Sequence, residues 1–368
     1  MLIDTTLREG EQRYGVYFDA EAKLALLDSL LAAGVEEIEC GVAGRCPDTP
    51  GLVARGRERA GQGQAISVWC RAAEADLELA ASLRPDRVCL GLPVADAHLE
   101  KRLRISRAGL VHRLERLLIQ AEELGVAYLS VGLEDASRAD PEFALAVARA
   151  ARDGGARRVR LSDTVGALSP LETARLVERF RSELPGLDLA VHCHDDLGLA
   201  TANALTALDS GADAADCACL GLGERAGIAA TERLAMRLNL DGRGDYALEA
   251  ITKACRVAAR SAGMEVPGHA PVVGERLFWV ESGLHADTAA KAPGLHEPWA
   301  PALTGHARRA AVGKKSGRAA VRRKLEELGM APEAEDLERL TSELRDESLR
   351  MGRVLDDGEV ARLAARAC

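Results

Sequence analysis

Long apolar runs are missing from this 368-residue chain; none approaches the roughly 18 consecutive apolar residues of a spanning helix, so no membrane anchor is expected. The N-terminus enters a strand-like pattern within two residues, and secretion is not expected. Cys-x-x-Cys pairs are also missing, although there are nine cysteines. Most of these (Cys40, Cys70, Cys89, Cys193, Cys217 and Cys219) fall in strand-like runs, where a small thiol packs well, and a reducing cytoplasm is the expected compartment. Basic charge is in deficit: 48 Lys and Arg against 57 Asp and Glu leave a net charge of −9, which argues against nucleic acid or an anionic membrane as the main partner. Aromatic residues reach only 3%, and with the abundance of Ala, Leu and Arg this reads as compositional bias that says nothing of function.

Against these absences stands His192-Cys193-His194, at the end of an apolar run and followed at once by Asp195-Asp196. Residues i and i+2 of a strand point to the same side, so both imidazoles converge on one spot, as a divalent metal requires. Alone, the pair reads more readily as packing residues or a solvated edge of a half-buried strand than as metal ligands. A second polar cluster, Ile3 to Gln12, places Arg8 and Glu9 where a first strand should end, which offers a third ligand and a cation.

Eight strand-like runs recur at residues 2–8, 35–40, 65–70, 87–92, 127–134, 157–162, 188–194 and 214–220. Amphipathic stretches at 19–33, 72–82, 106–124, 140–152, 169–183 and 199–210 lie between them, the first with Asp19 placed as a cap. An α/β fold, a (β/α)8 TIM barrel, is expected. The rival is a doubly wound open sheet; the count of eight and the lack of a Gly-x-Gly-x-x-Gly loop after the first strand favour closure. In a barrel the strand C-terminal ends share one face, which gathers Glu9, Arg71, Glu134, Thr164, His192 and His194 into one constellation. The expected division is a catalytic barrel at 1–245 and a linker, lid and mostly helical subdomain at 246–368.

Four segments carry a family resemblance: Asp4 to Gln12, Glu134-Asp135-Ala136-Ser137-Arg138-Ala139-Asp140, Ser162-Asp163-Thr164-Val165-Gly166, and His192 to Ala200. With Gly221-Leu222-Gly223-Glu224-Arg225 and Ser282-Gly283-Leu284-His285, the chain from residue 3 to about 321 resembles the homocitrate and isopropylmalate synthase family. Val68-Trp69-Cys70-Arg71, Gly91-Leu92-Pro93-Val94 and the segment from Glu134 bring it nearest to the homocitrate synthases of nitrogen-fixing bacteria. Those enzymes are acyltransferases that condense acetyl-coenzyme A with 2-oxoglutarate. The length matches the family's short form, so leucine feedback is not expected.

The resemblance implies Glu9, His192 and His194 as ligands of a divalent ion, and this mixed oxygen and nitrogen set does not choose between magnesium, manganese and zinc. It implies Arg8 as the cation that stabilises the developing alkoxide, and Glu134 with His285 as the pair that handles the acetyl proton. His285 is implied to arrive from the partner subunit of a homodimer, carried by a lid. Arg71 and Arg138, with Thr164 as a hydroxyl donor, are the candidates for the distal carboxylate of the oxoacid; relatives of the lysine pathway typically carry histidine at Arg71.

Three positions depart from the family pattern. His296 stands where many relatives have a catalytic tyrosine, Lys315 interrupts the usual Gly-Lys-His-Ser-Gly, and Ile228 replaces an asparagine. A histidine still donates a proton, with its own pH dependence. The run Arg308-Arg309, Lys314-Lys315 and Arg318 is readable as a coenzyme A phosphate contact or as a solvated face. The expected activity is homocitrate synthesis; the alternatives are the same condensation giving isopropylmalate or citramalate, or a barrel that binds metal and oxoacid without turnover.

Overall fold

The computed structural model describes residues 1–281, 292–331 and 333–367. Its first compact unit, Met1–Val266, is built around eight parallel strands: β1 (Leu2–Asp4), β2 (Glu37–Val42), β3 (Ala65–Arg71), β4 (Arg87–Pro93), β5 (Leu129–Glu134), β6 (Arg158–Asp163), β7 (Asp188–Cys193) and β8 (Ala214–Cys217). They pair in chain order, and β8 closes on β1 with Leu2 opposite Ala215 and Asp4 opposite Cys217. The (β/α)8 barrel expected from the sequence is present.

Helices α1 (Ala20–Ala32), α2 (Thr49–Arg59), α3 (Glu74–Ser82), the short α4 (Asp96–His98), α5 (Arg107–Glu123), α6 (Pro141–Asp153), α7 (Pro170–Glu183) and α8 (Ala200–Asp209) follow the strands, with α9 (Thr231–Leu240) and α10 (Leu248–Ser261) after β8. Their starts are chemically marked. Asp19, Ser106 and Asp140 accept hydrogen bonds from the backbone N–H groups of Ala22, Gly109 and Phe143, and Ser169 forms a reciprocal capping box with Glu172. The sequence pattern misses α2 and α9. In α2, Gly51 and Gly56 interrupt the apolar periodicity, and only Leu52 and Val53 of its large apolar residues are buried.

β1 is shorter than the apolar run suggests. After Asp4 the chain turns, and the Thr5 carbonyl accepts from the N–H groups of Arg8, Glu9 and Gly10, which curls the next residues over the barrel mouth. Cys219, expected in a strand, lies in a turn of 3-10 helix at Cys219–Gly221.

The barrel interior departs from the usual filling by branched aliphatic residues. Ile3, Ala190 and Ala214 pack together at one level. Elsewhere the interior is charged: Arg158 and Arg160 on β6 reach Glu37 and Glu39 on β2. Arg158 Nη1 and Nη2 lie 2.7 and 2.8 Å from the two Glu37 oxygens, and its Nε donates to Ser130 Oγ at 3.0 Å. Burial pushes the Glu37 carboxyl up, but Arg158, Arg87 and Arg160 override it and bring its pKa down to about 2. Buried ion pairs recover little of their desolvation cost, so the network is better understood as positioning than as net stabilisation.

The second unit, Pro267–Cys368, has its own core. Helices α11 (Arg318–Glu327), α12 (Ala334–Met351) and α13 (Asp357–Ala367) surround Val321, Leu325, Leu337, Leu340, Leu344 and Val360. A two-stranded parallel ladder pairs β9 (Trp279–Val280) with β10 (Arg309–Ala310). Among the described residues no helix is long and apolar enough to cross a membrane.

Candidate metal centre at the barrel mouth

Glu9, His192 and His194 meet where β1 and β7 end, with one ligand atom from each lying within 4.8 Å of the others. All three are buried. His192 Nδ1 lies 2.8 Å from Asp216 Oδ2 on β8, a contact that fixes the proton on Nδ1 and leaves the Nε2 lone pair free. That Nε2 faces His194 Nε2 at 3.3 Å. Two ring nitrogens so close, with a carboxylate beside them, fit a cation between them. Burial, then the neighbouring His192, push the His194 pKa down to about 4, which keeps its ring in the neutral, metal-binding form near pH 7.

Arg8 lies beside Glu9. Its Nε donates to Glu39 Oε2 at 2.5 Å and its Nη1 to Glu9, while Glu9 Oε1 accepts from the Glu224 N–H at 3.0 Å. The Arg8 guanidinium also stands 5.9 Å from the Trp69 ring centroid. Despite burial, Arg8, His192 and the Glu224 N–H hold the Glu9 carboxyl below its ordinary range. Glu39 is in turn shared with Arg160, and Arg160 with Asp216. A continuous path therefore runs Arg8, Glu39, Arg160, Asp216, His192.

The cavity over this centre measures about 260 Å³. Arg8, Glu9, Gln12, Trp69, Gly91, Arg102, Ser130, Gly132, Glu134, Arg160, Ser162, Thr164, His192 and His194 are among its walls. Gly91 is required there, because a Cβ would come within 2.4 Å of the Trp69 ring and 2.6 Å of Glu134 Oε1. Gly166, at φ +60°, lets the turn after β6 press on the His194 carbonyl, where a Cβ would meet that oxygen at 2.9 Å.

The structure brings together Arg8, Glu9, Glu134, Thr164, His192 and His194. Glu134 pairs with Arg102 at 3.2 Å. Thr164 Oγ1 accepts from the Asp135 N–H at 2.8 Å. Arg71 lines a neighbouring cavity of about 600 Å³ that shares Arg8, Gln12 and Trp69, and its Nε and Nη2 are bound to Asp76 at 2.5 and 2.9 Å. Arg138 is likewise bound by Asp135 at 2.8 and 2.7 Å. His296 belongs to the second unit, beside Phe278 and Trp299 in a cavity of about 270 Å³. His285 lies outside the described residues. Ile228 is buried, and its backbone bridges that of His194. Of the basic run, Arg308 is bound to Glu297, Lys315 to Glu281 and Arg318 to Glu338. Asp216, Glu39 and Arg160 were not singled out from sequence; for Glu39 and Arg160 the signal was a charged residue recurring at every second position of the strand, and for Asp216 a lone charge in an apolar one.

A parallel barrel with a buried Glu-His-His cluster at its C-terminal mouth defines the class, and the comparisons agree. The HMGL-like family profile matches residues 1–258 and the homocitrate synthase post-HMGL domain-like profile matches residues 272–350, so the chain belongs to the HMGL-like family. A homocitrate synthase of Frankia sp. (strain FaC1) is 39% identical over 97% of this chain and 88% of its own length. A putative (R)-citramalate synthase of Methanosphaerula palustris is 36% identical over 98% of this chain and 71% of its own. The crystal structure of the Bacillus subtilis HMG-CoA lyase superposes with a TM-score of 0.64 at 21% identity, over 73% of this chain and 95% of that one, a likeness of fold.

Proposed function

We propose that the chain is a homocitrate synthase, an acyltransferase that condenses acetyl-coenzyme A with 2-oxoglutarate and hydrolyses the thioester. The observation that carries this reading is the convergence of Glu9, His192 and His194 beside Arg8 in a cavity that also holds Glu134. The similarity to homocitrate synthases over nearly the whole chain supports it.

Glu9, His192 and His194 would hold a divalent ion, magnesium, manganese or zinc, which supplies Lewis acidity to the 2-oxo group when bound. Arg8, anchored by Glu39, presents a fixed cation to negative charge growing on the attacked carbonyl oxygen, and its anchoring means little reorganisation in the transition state. Glu134, across the cavity, accepts the proton from the acetyl methyl group, with His285 as its partner in that transfer and His296 as a proton donor in the steps that follow. The 600 Å³ cavity meets the oxoacid cavity at Arg8, Gln12 and Trp69, and is assigned to the acetyl thioester. Arg71 lies in its wall, and Thr164 offers its hydroxyl to the oxoacid. The assembly proposed is a cytoplasmic homodimer whose lid crosses to the partner.

The test is release of free coenzyme A thiol from acetyl-coenzyme A by the purified chain with Mg²⁺ or Mn²⁺, offered 2-oxoglutarate, 2-oxoisovalerate, pyruvate or oxaloacetate. Preference for 2-oxoglutarate is expected. Preference for 2-oxoisovalerate or pyruvate would replace homocitrate by isopropylmalate or citramalate as the product, and no turnover with any oxoacid would sink the enzymatic reading.

A further inference from the structure

We propose that Arg160, on the barrel floor, is the residue that selects an oxoacid with a second carboxylate, by taking that group on its Nε–Nη2 edge. This rests on the condensation reading above but is tested apart from it.

Arg160 is 3% exposed and lines the same cavity as the metal cluster. Only its Nη1 is committed to carboxylates, lying 3.1 Å from both Glu39 Oε1 and Asp216 Oδ2. Among the described residues Nε has no hydrogen-bond partner, and Nη2 meets only the Cys89 sulfur at 3.5 Å. The vacant edge, two parallel N–H groups, is the geometry that binds a carboxylate in bidentate fashion. A buried N–H left without an acceptor is costly, so an arriving oxygen is favoured there beyond simple ion attraction.

The neighbours suit an anion. Ser130 and Ser162 bring hydroxyls to the same cavity, and Gly91 and Gly132 put no side chain between it and the floor. Burial holds the Cys89 thiol up at a pKa of about 12, so the sulfur is neutral and does not compete as an anion. Asp216 Oδ2 serves both Arg160 Nη1 and His192 Nδ1, which sets the guanidinium one carboxylate away from the metal cluster. An oxoacid held at the cluster by its 2-oxo end would find the Arg160 edge in the same cavity.

The other arginines are engaged. Arg71 and Arg138 each spend two nitrogens on their own aspartates, about half exposed to solvent, and Arg102 is on Glu134. Arg8 is divided between Glu9 and Glu39. A monocarboxylate with a hydrocarbon tail would bury the Arg160 Nε–H against carbon, so discrimination arises from the penalty on the wrong substrate as much as from attraction to the right one.

The experiment uses the full chain with Mn²⁺ and compares wild type, Arg160→Lys and Arg160→Gln. Calorimetric binding of 2-oxoglutarate and of pyruvate is measured without acetyl-coenzyme A, alongside steady-state kinetics. Arg160→Lys should weaken 2-oxoglutarate binding, and raise its KM, by about 10- to 100-fold, while pyruvate changes by less than about threefold and Mn²⁺ affinity stays within that range. Equal losses for the two oxoacids, or no loss for either, would overturn the proposal. If the Arg160 variants do not fold by circular dichroism, Ser130→Ala carries the same comparison, with a selective loss of about 3- to 10-fold for the diacid expected and an unselective effect counting against it. Wild-type protein that binds the diacid selectively but turns nothing over would sink the condensation reading and leave Arg160 to be judged on binding alone.

Discussion

Replacing Asp216 separates the charge of the network from its geometry. Asp216 Oδ2 accepts from His192 Nδ1 at 2.8 Å and forms an ion pair with Arg160 Nη1 at 3.1 Å, while among the described residues Oδ1 has no hydrogen-bond partner. In Asp216→Asn the amide oxygen takes the Oδ2 position and its NH2 the idle one, so both contacts persist but lose their negative charge. A hydrogen bond to a charged acceptor is worth about twice a neutral one, a difference of roughly 1–1.5 kcal/mol, or about tenfold in equilibrium. The His192 ring becomes a weaker base, and the Kd for Mn²⁺ should rise about tenfold, within the 10- to 100-fold span found for partners of metal-bound histidines. Asp216→Ala also frees the ring to rotate and strips Arg160 of one of its two counterions. Metal affinity should then fall about 100-fold, and removing one partner of a buried pair should cost roughly 3–5 kcal/mol of stability. Isothermal titration of EDTA-treated protein with MnCl₂, with urea melts in parallel, reads both. An Asp216→Asn variant that binds Mn²⁺ within about twofold of wild type would refute the argument that this carboxylate tunes the histidine.

His194→Ala should abolish metal retention and turnover together, measured by metal content after gel filtration and by thiol release; activity without bound metal would remove His194 from the ligand set. Gly91→Ala should cut activity at least about tenfold and destabilise the barrel by roughly 1–3 kcal/mol, because the new methyl must displace the Trp69 ring and Glu134; an active, stable variant would show that the β4 wall yields freely. Acid should weaken the fold through Glu37. Its folded pKa, about 2, lies below the ordinary 4.5, so its stabilisation is whole above about pH 4.5 and is lost as pH falls toward 2. Urea melts at pH 5 and pH 3 should show that loss, and a pH-independent midpoint over that window would contradict it.

How much of this was legible in the chain varies by element. The strands of the barrel were, because each carries a short apolar run between helices with marked starts such as Asp19 and Ser169. The metal cluster was legible in part, since His-x-His on a strand forces two imidazoles onto one face. Helix α2 was not, because Gly51 and Gly56 break its apolar pattern, and α9 was passed over although Leu234, Ala235 and Leu238 follow helical spacing. Arg71 and Arg138 looked available for a substrate carboxylate because sequence does not reveal that Asp76 and Asp135, five and three residues away, fold back onto them.

Local pattern by itself therefore determined the eight strands and most of the helices between them, since period and capping act within a few residues of chain, but not where every strand ends. Tertiary structure alone decided what lies inside the barrel. Arg158, Arg160 and Ser162 share one side of β6, and Glu37 and Glu39 one side of β2. Closing the sheet turns both sides inward, sets β6 opposite β2, and joins residues 121 positions apart into the charged floor that holds Arg8 and His192. That pairing is a property of closure, which no local stretch of the chain contains.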